Sequence, residues 1–168
     1  SGNLDVGTIR DAAGTNTAMT IDSTGRILTP ARPAFHHSSV TGAASPITGD
    51  LTFNTEIFDS GGVFDNTVFT APVTGLYQFS FIGFASDASA NAISGGVNLS
   101  FQKSTDGGST YSTVLRSYNQ HASAGYPPLS FTTTLELNAS DKIKLNTSDY
   151  IYADGNGYYT RFSGYLIG

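Results

Sequence analysis

Phe69-Thr70-Ala71-Pro72-Val73-Thr74-Gly75-Leu76-Tyr77-Gln78-Phe79-Ser80-Phe81 is the stretch on which the fold turns. From Gly75 onward Tyr77, Phe79 and Phe81 alternate with Gln78 and Ser80, the period-2 pattern of a strand with one face in a core and one face outside. Pro72 and Gly75 punctuate the residues just before it and keep a helix from running through.

Working outward, the same pattern recurs. Val97, Leu99 and Phe101 alternate with Asn98, Ser100 and Gln102; Phe131, Leu135 and Leu137 with Ser130, Thr132, Thr134 and Glu136; Ile143 and Leu145 with Lys142 and Lys144. Turn chemistry separates these runs: Asp106-Gly107-Gly108, Tyr126-Pro127-Pro128, Asn138-Ala139-Ser140-Asp141 and Asp154-Gly155-Asn156-Gly157. Many short strands joined by regular turns predict an all-β sandwich or barrel.

Composition narrows the function. Charged residues make up 12% of the 168, against roughly 25% in ordinary soluble proteins, so the expected surface is neutral and rich in hydroxyl and amide groups. The net charge is -5 and the eight Lys and Arg are scattered, which removes the basic stripe that phosphate tracking needs, so nucleic acid is not an expected partner. No apolar run approaches the roughly 20 residues of a membrane helix, and membrane insertion is not expected. The absence of cysteine excludes disulfides and thiolate metal sites. Ser1-Gly2, with no Met and no leader, reads as the start of an excised fragment, so the sequence is silent on secretion.

Residues 1–31 form a different segment. They offer only Leu4, Val6, Ile9, Ile21, Ile27 and Leu28 to bury, which hardly offsets the entropy of ordering them alone. Two readings stay open: a disordered linker, or a β-structured neck that orders when several chains wind together. Pro30-Ala31-Arg32-Pro33 favours an extended crossing, and the boundary between a neck (1–31) and a head (32–168) is placed there.

Phe69 to Phe81 resembles the signature of the C1q-like globular head, with five residues between a Phe and Gly-x-Tyr-x-Phe-x-aromatic. Phe162-Ser163-Gly164-Tyr165-Leu166-Ile167 is similar to that family's last strand. Leu135-Glu136-Leu137 with Asp141-Lys142-Ile143 resembles the strands before it, and Arg32-Pro33-Ala34-Phe35 the first strand. The departure is at Gly62, where the family has an aromatic or leucine; Val63 and Phe64 stand beside it. The resemblance implies a ten-stranded jelly roll of the tumour-necrosis-factor type, three copies around an axis, and a role as a recognition head. Animal members commonly follow collagen, but no glycine period precedes Arg32. Instead Ile9 to Gly14 and Ala18 to Pro30 resemble connecting segments of bacteriophage fibre and other virion appendage proteins.

Few residues invite chemistry. Adjacent His36 and His37 point to opposite faces of a strand, so they are expected as a surface and interface pair and not as a shared metal site. Calcium occurs in some heads of the resembled family, on acidic loop residues near the apex; the corresponding loop here, Ser117 to Tyr126, has no carboxylate, so no cofactor is expected. Glu56 and Glu136 are the only glutamates, and neither a Gly-x-Ser-x-Gly elbow nor a zinc-protease motif is present, so no enzyme is expected. The residues assigned to a receptor-binding surface are Tyr118, Asn119, Gln120, His121, Tyr126, Tyr152, Asp154, Asn156, Tyr158 and Tyr159. Tyrosines with amide side chains suit sugars or protein loops by stacking and hydrogen bonding. The other reading is that these tyrosines pack between subunits and the polar residues close turns.

The resulting expectation is a homotrimeric head of a virion fibre, extracellular on the virion surface, joined to other fibre segments and touching a host-surface glycan or protein. Its alternatives are a purely structural trimerisation and capping module, and a secreted lectin or adhesin.

Overall fold

Thirteen strands and no helix run through the described residues, 7–15, 17–40 and 46–168 of this computed structural model; Leu4 and Val6 lie outside them. Three strands near the start, β1 (Thr8–Arg10), β2 (Thr17–Ile21) and β3 (Ile27–Leu28), pair among themselves as a small antiparallel sheet. The others are β4 (Ala34–Ser38), β5 (Ile47–Asp50), β6 (Thr55–Ser60), β7 (Val68–Thr70), β8 (Gly75–Ser86), β9 (Ile93–Ser104), β10 (Ser112–Gly125), β11 (Pro128–Leu137), β12 (Lys142–Ile151) and β13 (Arg161–Leu166).

These strands make two antiparallel layers. One has the order β6-β4-β13-β8-β11, and in the other β12 pairs β9, which pairs β10, while β5 and β7 flank β12 on its far side. The layers join at one corner, where Tyr150 and Ile151 of β12 pair with Ser86 and Ala85 of β8. The fold is thus a jelly-roll sandwich, and the four strands anticipated from alternation fall in β8, β9, β11 and β12.

Strand parity decides what enters the core. Gly164 of β13 sits between Phe35 and Phe79, and Phe162 between His37 and Phe81, so one face of the first layer carries these rings inward. Val97, Leu99 and Phe101 of β9 with Ile143 and Leu145 of β12 meet them from the second layer. Phe35, Phe79, Phe101 and Phe162 are wholly buried, each worth roughly 2–3 kcal/mol of transfer free energy. Gly164 is the gap they close over: a Cβ there would lie 2.7 Å from both Phe35 and Phe79.

The irregularity at Gly62 resolves locally. Gly61 and Gly62 take positive φ (98° and 61°), which glycine alone adopts freely, and turn the chain after β6. The Asp59 carboxylate then accepts the N–H groups of Val63 and Phe64 at 2.9 and 3.0 Å. Phe64 bridges to Phe69 and stacks on Phe35 with centroids 4.6 Å apart, so it supplies the aromatic side chain missing at position 62.

One end of the sandwich is closed by backbone contacts of residues 166–168. Ile167 donates its N–H to Leu76, Leu76 donates to Gly168, and Leu166 donates to Pro33, so the head's entry and the C-terminus share one end.

Candidate aromatic recognition site at the far end

The opposite end of β8 carries Phe84, about 26 Å along the strand from Leu76 at ~3.3 Å per residue. Phe84 is the last outward residue of the Leu76–Gln78–Ser80–Ile82 series. β11 begins two residues after Tyr126, the chain leaves β12 at Tyr152, and Tyr159 precedes β13, so four segments converge beside Phe84. Tyr126 meets Tyr152 edge-on at 5.5 Å, Tyr152 meets Tyr159 at 5.9 Å, and Tyr159 meets Phe84 at 5.7 Å. Together these rings line a concavity of about 320 Å³ that contains no charged side chain.

Local hydrogen bonds fix the rim. The Tyr126 hydroxyl donates to the Ala90 carbonyl at 3.1 Å, anchoring the ring to the turn after β8. That turn is organised by Asp87, whose carboxylate accepts N–H groups from Ser89 and Asn91, both at 2.8 Å. The backbone and side-chain bonds from Asn91 hold the Asp87 carboxyl below the ordinary carboxylate range. On the other side Asp154, 7% exposed, accepts the Tyr158 N–H at 2.9 Å and the Asn156 N–H at 3.3 Å. Asp154 is therefore the keystone of the turn that presents Asn156, Tyr158 and Tyr159, with its oxygens directed at backbone.

The structure brings Tyr126, Tyr152 and Tyr159 together and adds Phe84, which the sequence reading missed. Its only signal was parity: it extends the outward series of β8 by one step.

Tyr118, Asn119, Gln120 and His121 are placed differently from the expected loop. The stretch belongs to β10, and pairing with β9 (Tyr118↔Asn98, Asn119↔Val97, Gln120↔Gly96, His121↔Gly95) sends neighbours to opposite faces. Asn119 faces between the layers and donates to the Pro128 carbonyl at 2.8 Å; Ser117 donates to Ser130 at 3.1 Å, so the two side chains tie the free edges of the layers together. Tyr118 and Gln120 face out, with the Tyr118 hydroxyl donating to Gln120 Oε1. Tyr118 covers Gly96, where any Cβ would collide with its ring.

The paired histidines also separate. His37 is 2% exposed and lies in the core, not on the surface. Its Nδ1–H donates to the Phe53 carbonyl at 3.1 Å, while Nε2 is buried against Phe64 with no hydrogen-bond partner among the described residues. His36 faces out beside Phe58, and burial together with the nearby Arg161 charge pushes its pKa down. Among the described residues no three His, Asp or Glu side chains cluster as metal ligands. The Ser117 to Tyr126 stretch offers no carboxylate, and the Asp154 oxygens accept backbone N–H groups of their own turn.

Comparison with known proteins agrees with this geometry. The globular domain of zebrafish complement 1qA superposes with a TM-score of 0.61 at 20% identity, covering 81% of this chain and 98% of that one. Eiger TNF from S. frugiperda gives 0.63 at 9% identity (82% and 93%), and murine APRIL at pH 5.0 gives 0.61 at 12% (81% and 99%). These likenesses define the class as a jelly roll of the C1q and tumour-necrosis-factor type. No curated protein matches the sequence. Residues 34–167 match the C1q domain, and the chain belongs to that family. Its domains are non-enzymatic recognition and trimerising modules that generally form homotrimers and bind receptors.

Proposed function

We propose that this chain is the homotrimeric recognition head of a virion fibre or appendage, displayed outside the cell on the virion surface. Residues 1–31 act as the neck toward other fibre segments, and residues 32–168 as the head. The observation that carries recognition is the cluster of Phe84, Tyr126, Tyr152 and Tyr159, which opens at the end opposite Pro33 and Gly168. A fibre tip must face the host with the end remote from its attachment, and that end carries the uncharged aromatic concavity. Flat rings with hydroxyl rims suit a neutral sugar ring or an uncharged protein loop, and the low charge of the chain suits the same partners. The virion assignment is supported by the fibre-like residues 9–30.

Self-assembly is supported by the outer face of the first layer. Phe58, Ile82 and Tyr165 project from it at 49, 49 and 43% exposure among small hydroxyl residues, a mixed surface suited to a second copy. Three sites on one rigid head gain avidity from effective concentration, so each can be weak.

The test is adsorption of the full chain to host cells and to a neutral glycan array, alongside Tyr152→Ala and Tyr126→Ala. Loss of either ring is expected to weaken binding roughly tenfold or more, as for an aromatic anchor, with trimer mass unchanged. Unchanged adsorption in the double variant would assign the head a purely structural capping role.

A further inference from the structure

The neck sheet has one apolar face that is exposed among the described residues. Ile9 pairs with Met19 and Ile21 with Ile27, and cross-strand partners share a face. Met19 and Ile21 are two residues apart in β2, so all four side chains project to one side. Ile9, Ile21 and Ile27 are 44, 42 and 64% exposed. The opposite side carries Thr8, Thr20 and Leu28, and Ala18, the unpaired residue at the bulge in β2, lines a crevice of about 450 Å³ with Pro33, Ser60, Val63 and Leu166 of the head. Among the described residues, these exposures leave the isoleucine face without a partner from its own chain.

We infer that this face is closed by the same face of two further copies, giving a three-chain β neck with Ile9, Met19, Ile21 and Ile27 on its axis. Strands of three, five and two residues with an uncovered apolar side are too small to persist alone. The inference rests on the trimeric reading of the head: Pro30 to Pro33 leads directly into β4, so a head trimer holds three necks at high effective concentration. Identical faces meeting around one axis also supply chemically matched partners, and the axis closes without leaving a face over.

The absence of native cysteine makes the test direct. Single variants Ile21→Cys, Ile27→Cys and Thr8→Cys of the full chain are treated with a short bismaleimide, and particle mass is measured by light scattering on the same samples. Covalent dimers from both isoleucine positions, at least roughly tenfold above Thr8→Cys on the opposite face, are expected. A three-chain particle in which neither isoleucine position cross-links, or in which Thr8→Cys cross-links equally, overturns the neck and leaves the head trimer standing. A one-chain particle overturns both.

Discussion

Gly164→Ala tests the reasoning about the core with one methyl group. The added Cβ would sit 2.7 Å from Phe35 Cε1, 2.7 Å from Phe79 Cδ1 and 2.9 Å from Phe79 Cε1. Comfortable carbon contacts begin near ~3.5 Å, so each ring must retreat by roughly 0.6–0.8 Å. Neither can do so freely. Phe35 is wedged against Phe64, Phe69 and Phe162, and Phe79 against Phe69, Phe101 and Phe162, all with centroids within 6.0 Å. Overpacking of this kind costs about 1–3 kcal/mol. For a chain of this size that corresponds to a fall in Tm of roughly 2–12 °C. The assay is thermal and urea unfolding by circular dichroism at fixed protein concentration, since assembly makes stability concentration-dependent. Phe79→Leu in the same chain frees space, so the two substitutions should couple favourably by about 0.5–3 kcal/mol. A Gly164→Ala protein of unchanged stability, with no coupling to position 79, would refute the packing derived for the sheet.

Two further outcomes follow from aspartates that organise turns. Asp154→Ala leaves the Tyr158 and Asn156 N–H groups without their acceptor in a buried turn, so stability should fall by about 1–2 kcal/mol in the same unfolding assay, while Asp154→Asn retains most of it. Asp106 accepts hydrogen bonds from the Thr110 side chain and N–H and from Ser104, and these hold its carboxyl far below 3.8. A depressed folded pKa contributes stability above the unfolded value and loses it as pH falls through the folded one. Tm should therefore fall on acidification below about pH 4, and Asp106→Asn should flatten that fall; identical pH profiles would remove Asp106 from the account.

Much of the sandwich was legible in the sequence because alternation is a local signal. Tyr77-x-Phe79-x-Phe81 states which face is buried without reference to anything distant, and Asp-Gly and Asn-x-x-Asp turns mark where strands stop. The spacing of Gly75, Tyr77 and Phe79 also pointed to the family before any coordinates. β10 was hidden because its inward side chains, Leu115, Ser117, Asn119 and His121, sit at an open edge where polar groups bond the neighbouring layer, so hydrophobic alternation fades.

Composition alone determined that this chain has no thiol chemistry, no basic stripe and a neutral hydroxyl-rich surface. The tertiary structure alone decided which tyrosines meet. Tyr126, Tyr152 and Tyr159 come from separate connections brought beside Phe84 of β8 by the β8–β11, β8–β12 and β8–β13 pairings. It also placed His37 inside and His36 outside, because register fixes which of two neighbours enters the core, and register is a property of paired strands that one strand's sequence does not carry.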